Sequence, residues 1–220
     1  NMTYAIADVV VSNNGLNGGQ VRGTAFMATA SGSLDRTDFL SNWGHAVSYS
    51  AGGTLMLGGD ATIRNSIIAF NDISADPGLY TLSAGIEAWG GAHVEVDHTT
   101  IAFNTNGGSG ARVASMYGSP IDFRNSILFD NQPGSGSCFS SNIGFSIDYT
   151  LVTDCGASTP SQATSGTGNV IGVDPQFANG PSGDFTLDVT SPAIDVGDPG
   201  VTDASDGTRS DLGAYAGPGR

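Results

Sequence analysis

Lysine is absent from this 220-residue chain, and its cationic residues are seven arginines set against 21 acidic ones. A net charge of −14 repels phosphate backbones and anionic membranes, so nucleic acid is excluded as a natural partner. Charged residues make up only 13%, too few for a disordered polyelectrolyte or a coiled coil. No apolar run approaches the roughly 18 residues of a membrane span, and no transmembrane segment is expected. Cysteine is nearly missing: Cys138 and Cys155 stand alone. Two cysteines permit one disulfide and, with it, an oxidising compartment. No secretory leader pattern follows Asn1, as in a mature or excised piece of something longer.

Glycine, at 33 residues, is plentiful, so the chain turns often and long helices are not expected. A repeat organises these turns. The segments IADVVVSN, DRTDFLSN, RNSIIAFN, DHTTIAFN, RNSILFDN and DYTLVTDC end at Asn13, Asn42, Asn71, Asn104, Asn131 and Cys155, with spacings of 29, 29, 33, 27 and 24. A strand-like repeat of this period denotes a solenoid or propeller, and variable spacing favours the solenoid, whose coils can loop out independently. Three residues before each end stand Val10, Phe39, Ile68, Ile101, Leu128 and Val152, a core column. Two earlier come Asp8, Thr37, Ser66, Thr99, Ser126 and Thr150, of the same parity.

The asparagine column predicts a ladder of side-chain amides, with the left-handed turn assigned to the same residues. Seven positions before the column lie Asp35, Arg64, Asp97, Arg124 and Asp148, alternating in sign. Stacked rungs would put each arginine between carboxylates, setting register more than stability. Three short strands per coil give an all-β, right-handed parallel β-helix of about six coils over residues 1–155. A loop-rich segment, 156–220, completes or caps it.

The repeats, RNSIIAFN and RNSILFDN above all, resemble those of bacterial secreted β-helix proteins. VIGVDPQF, GDFTL, SPAIDVGD and DGTRSDLGAY resemble the C-terminal region of the choice-of-anchor Q family. The resemblance implies an extracellular or cell-surface protein with a β-helix shaft. β-Helices carry lyases, hydrolases and adhesins alike, so it does not fix an activity.

Candidate sites are sparse. His93, Glu95 and Asp97 alternate along a strand and would share its outer face, with Glu87 on a nearby strand. Together they form an acid–base row, or else a solvated ladder. Trp43 and Trp89 are candidate sugar platforms or loop-packing residues. Asp195, Asp198, Asp203, Asp206 and Asp211 in a glycine-bearing tail would suit Ca²⁺, or cap turns and pair with Arg209. Cys138 and Cys155 are the expected disulfide. The favoured function is a structural or adhesive surface module, contacting glycan or another surface protein or stacking end to end. The alternative is a polysaccharide lyase or glycoside hydrolase.

Overall fold

Six parallel pairings set the molecule's geometry. A computed structural model describes residues 2–48, 50–81, 83–107, 113–117, 119–131, 138–141, 146–153, 166–203 and 206–215. The rungs of its long, 11-stranded sheet are Thr3–Ser12 (rung 1), Ser31–Leu40 (rung 2), and Ala61–Arg64 with Ile67–Ala69 (rung 3). Val94–Asp97 with Thr100–Ala102 forms rung 4, Ile121–Arg124 with Ile127–Phe129 rung 5, Ser146–Asp148 with Leu151–Val152 rung 6, and Val170–Ile171 rung 7. Each rung pairs in parallel with the next. The other faces of the coil are sheets of three to five strands, so a turn with all its faces is built up about four deep. The chain is a parallel β-solenoid, and no α-helix occurs among the described residues.

Two left-handed bends shape rungs 1 to 5, and the first recurs in rung 6. The first falls on Asp8, Arg36, Asn65, His98, Asn125 and Tyr149, all at positive φ. It splits the long sheet into two limbs. Inward from the first limb point Leu34, Ile63, Val96, Phe123 and Ile147, in register and buried. Phe39, Ile68, Ile101, Leu128 and Val152 do the same from the second. Burying such columns is the main favourable term of the fold, at about 2 kcal/mol per side chain.

The second bend falls on Asn13, Ser41, Phe70, Phe103 and Asp130. The left-handed residue is therefore the one before each ladder asparagine, not the asparagine itself. The ladder needs this arrangement. Each asparagine must aim its own N–H along the stack, as Asn71 does toward the Asn104 Oδ1 at 3.0 Å, while its Nδ2 reaches the same oxygen at 2.9 Å. Asn42 and Asn104 follow this pattern, Asn131 accepts at its end, and the Nδ2 of all four also donates to a carbonyl of the rung before, such as Phe39 O.

The first rung departs from the expected register by one residue. Asn14, not Asn13, donates to Asn42 Oδ1, through N at 3.1 Å and Nδ2 at 3.0 Å. Val11, not Val10, opposes Phe39, and Val10 is 62% exposed. Three valines before two asparagines fit either register by pattern. Only the bend decides, and it takes Asn13.

The charged column stacks as expected, Asp35–Arg64–Asp97–Arg124–Asp148 in direct register. After rung 7 the chain turns back. Phe177–Asn179 and Asp184–Leu187 form a small antiparallel pair. Phe177 and Phe185 pack on Phe70, Phe103 and Phe129, while Ala193 and Leu212 pack on Ile127 and Leu151. This return segment thus covers the outside of the second limb. Cys138 is buried in the core; Cys155, its expected partner, lies outside the described residues.

Candidate functional site

No described residue covers the outer face of the first limb as the return segment covers the second, and its side chains follow from strand parity. Ser33, Thr62, Glu95, Asp122 and Ser146 form one outward column, and the Asp/Arg ladder forms the next. Two adjoining hollows, of about 470 and 540 Å³, share Arg64 and Asp97. They make one groove running along the stack from Ser33 to Ser146. Tyr149 and Thr167 border one stretch, and Val201 of the return segment borders the other.

Most charges in the groove are already engaged. Asp35 accepts from Arg36 and from Asn65 Nδ2 at 2.8 Å. Asp97 accepts from Asn125 Nδ2 at 2.9 Å and lies 3.0 Å from His98 Nδ1. Burial alone would raise the Asp97 carboxyl, yet these bonds and the charges of His98 and Arg64 hold it below its ordinary value. Asp122 accepts from Ser146 Oγ at 2.6 Å and meets His93 Nε2 at 2.7 Å. The same balance lowers its pKa: burial opposes, and the Ser146 and His93 bonds prevail. Asp148 accepts from Thr167 N at 2.6 Å. Arg124 pairs with Asp198 and lies over the Tyr149 ring. Two groups are less committed. Glu95 is exposed with no donor on it among the described residues, and Arg64 meets only Asp97, at 3.9 Å.

The expected acid–base row is thus divided. Glu95 and Asp97 share the groove floor, and His93 joins them through Asp122, which sequence reasoning had not singled out. Asp122 stands directly beside Glu95 one rung on, and aligning IDFR under VEVD would have found it. Glu87 belongs to another sheet, on the strand Ile86–Trp89 that precedes the Gly90–Gly91 turn. There it is 2% exposed, its Oε2 has no hydrogen-bond partner among the described residues, and burial pushes its carboxyl up to about 7 against the pull of Arg22.

Each tryptophan rests on a glycine of the rung before. A Cβ on Gly15 would overlap the Trp43 ring at 2.1 Å, and one on Gly58 the Trp89 ring at 2.7 Å. Trp43 remains 46% exposed, and the buried Trp89 Nε1 has no hydrogen-bond partner. Neither lines the groove.

The tail aspartates are spread among separate tasks. Asp198 takes Arg124 and the Gly200 N–H, Asp206 takes both donors of Thr208, and Asp211 takes the Asp195 N–H at 2.8 Å. Burial, with the charges of Asp203, Asp195 and Asp206, raises the Asp211 carboxyl despite that N–H. Among the described residues no three His, Cys, Asp or Glu side chains converge as metal ligands, and the calcium expectation gains nothing. Arg209 donates to the carbonyls of Val196 and Gly197 rather than to a carboxylate, and lies over Tyr149.

Fold and site define a parallel β-solenoid with an open axial groove among the described residues. Comparison with protein-family models, curated proteins and solved structures gives no match to this chain.

Proposed function

We propose that this chain is an extracellular or cell-surface shaft that contacts glycan along the axial groove. One observation carries the reading: a continuous groove floored by hydrogen-bonding side chains at strand spacing, on a scaffold held by the asparagine ladder. A polyhydroxyl chain offers a donor or acceptor at each step, and fixed partners cost little ordering entropy. The resemblance of the repeats and C-terminal motifs to secreted proteins supports the location. The test is a glycan-array screen with the intact chain and a Thr62→Trp variant that fills the groove. Selective binding lost in the variant is expected; binding that survives Thr62→Trp would place the contact elsewhere.

A polysaccharide-active enzyme is the second reading, favoured by Glu95 and Asp122 as direct neighbours on parallel rungs. Backbones about 4.8 Å apart place carboxylates near the roughly 5 Å separation of retaining glycosidases. Release of reducing ends from a bound glycan, abolished by Asp122→Asn, would establish it.

Two further expectations accompany the shaft. A Cys138–Cys155 disulfide would hold the upper coils, and alkylation only after reduction tests it. Among the described residues no strand pairs with the far edge of rung 1, an edge suited to stacking with a second copy, and sedimentation across a concentration series tests that.

A further inference from the structure

The arginine column repeats one seat twice, and the chain itself occupies one of them. Arg64 and Arg124 oppose Asp97 from either side in the stack. Each is followed by an asparagine at positive φ whose Nδ2 bonds the aspartate one rung before: Asn65 to Asp35 at 2.8 Å, Asn125 to Asp97 at 2.9 Å. At rung 5 the return segment delivers a carboxylate to this seat. Asp198 pairs with the Arg124 Nη2, its N–H donates to Asn125 Oδ1 at 2.7 Å, and its side chain is only 13% exposed. At rung 3 the same segment brings Val201, which has no charge to offer. Arg64 and Arg124 are equally exposed, at 54% and 55%, but among the described residues Arg64 has Asp97, at 3.9 Å, as its one ionic neighbour.

We infer that Arg64 is a specificity-determining residue that receives a carboxylate of the bound glycan, so the groove selects chains containing uronic acids. The inference rests on the glycan reading above. The groove carries five carboxylates against two arginines, so a ligand carboxylate has a place there only at an arginine, as Asp198 has at Arg124. Arg124 lies between Asp97 and Asp148 and still takes a third carboxylate. The neighbours of Arg64 are already provided for, Asp35 by Arg36 and Asn65, and Asp97 by His98 and Asn125. A guanidinium suits the task because its planar fork meets both carboxylate oxygens.

The experiment compares binding of oligogalacturonate and its methyl ester, in which each carboxylate charge is replaced by a neutral ester with one added methyl. The intact chain and its Arg64→Gln, Arg64→Lys and Glu95→Gln variants are measured together. The acid form should bind the native chain more tightly. Arg64→Gln should lose roughly 10- to 100-fold on the acid and nothing on the ester, as a lost charge-assisted hydrogen bond implies. Arg64→Lys should recover part of that loss, and all variants should melt near the native temperature.

Equal affinity for acid and ester, or indifference to Arg64→Gln, overturns the inference. If Glu95→Gln still weakens both ligands in that case, the glycan reading stands without it. Failure of both ligands to bind, when neutral glycans also fail, removes the two together. Competition by polyglutamate at equal carboxylate concentration would overturn the assignment to a sugar.

Discussion

The two limbs of the long sheet are made of the same rungs, a few residues apart, yet their outer faces differ in kind. Before the first bend the outward column is Ser33, Thr62, Glu95, Asp122 and Ser146; after it, Ile67, Thr100, Ile127 and Leu151. The second column is apolar but for Thr100, whose Oγ1 accepts from Ala214 N, because the return segment lies on it. The first is polar and open. What a solenoid leaves uncovered is thus written in its outward positions, and the limb the described residues do not cover is the one proposed above to take a ligand.

The largest effect should come from breaking the stack that both limbs share. Asn71→Ala removes two bonds to Asn104 Oδ1 or Phe39 O from Nδ2, and two that its Oδ1 accepts from Asn42. At about 1 kcal/mol for each, a loss of about 4 kcal/mol is expected in denaturant unfolding. A loss under 1 kcal/mol would mean that the ladder only marks the register.

Phe185→Ala aims at the covered limb alone. Its ring is buried against Phe70, Phe103 and Phe177, and removing it should cost about 3 kcal/mol. Hydrogen exchange should quicken over residues 176–214 and leave Val94–Asp97 unchanged. Uniform acceleration would show that the return segment and the coils unfold as one unit.

How far the sequence revealed all this depended on repetition. Rungs 2 to 6 were legible because their core, ladder and charge columns recur, each residue supported by its equivalents. Rung 1 slipped because VVVSNN satisfies two registers, and the left-handed bend at Asn13 is a backbone choice that no side-chain pattern announces. The triplets IIA, TIA and ILF read as strands, but their double-sided burial could be explained only by a return segment that shares no period with them. The groove was half legible. Glu95 and Asp97 follow from parity, whereas the placement of Asp198 against Arg124 joins residues 74 positions apart.

Glu87 gives a control on a third face. Its carboxyl, near 7 in the folded chain and about 4.3 when unfolded, binds protons more tightly in the native state. Stability should be unpenalised below about pH 4, fall as pH rises toward 7, and level off above it. The full drop is about 4 kcal/mol, and Glu87→Gln should abolish this part of the pH dependence. Parallel pH–stability curves for variant and native chain would show that the carboxyl is solvated after all.

The smallest and most discriminating change compares the two arginines. Both stand in one column between aspartates, so pairwise ladder energetics alone would make Arg64→Gln and Arg124→Gln equivalent. The return segment breaks that symmetry. Arg124→Gln leaves Asp198 with its carboxylate largely buried beside Asp97 and Asp148, and should cost about 1–3 kcal/mol, loosening the segment around Asn125. Arg64→Gln removes an exposed, long ion pair and should cost under about 0.5 kcal/mol. Thermal melts of the two variants, with and without added glycan, read both consequences together. A large loss for Arg64→Gln without ligand would make it a structural residue of the ladder. Near-neutrality, joined to loss of ligand-induced stabilisation, would show one seat used twice: once by the chain to fasten its own tail, and once for what it binds.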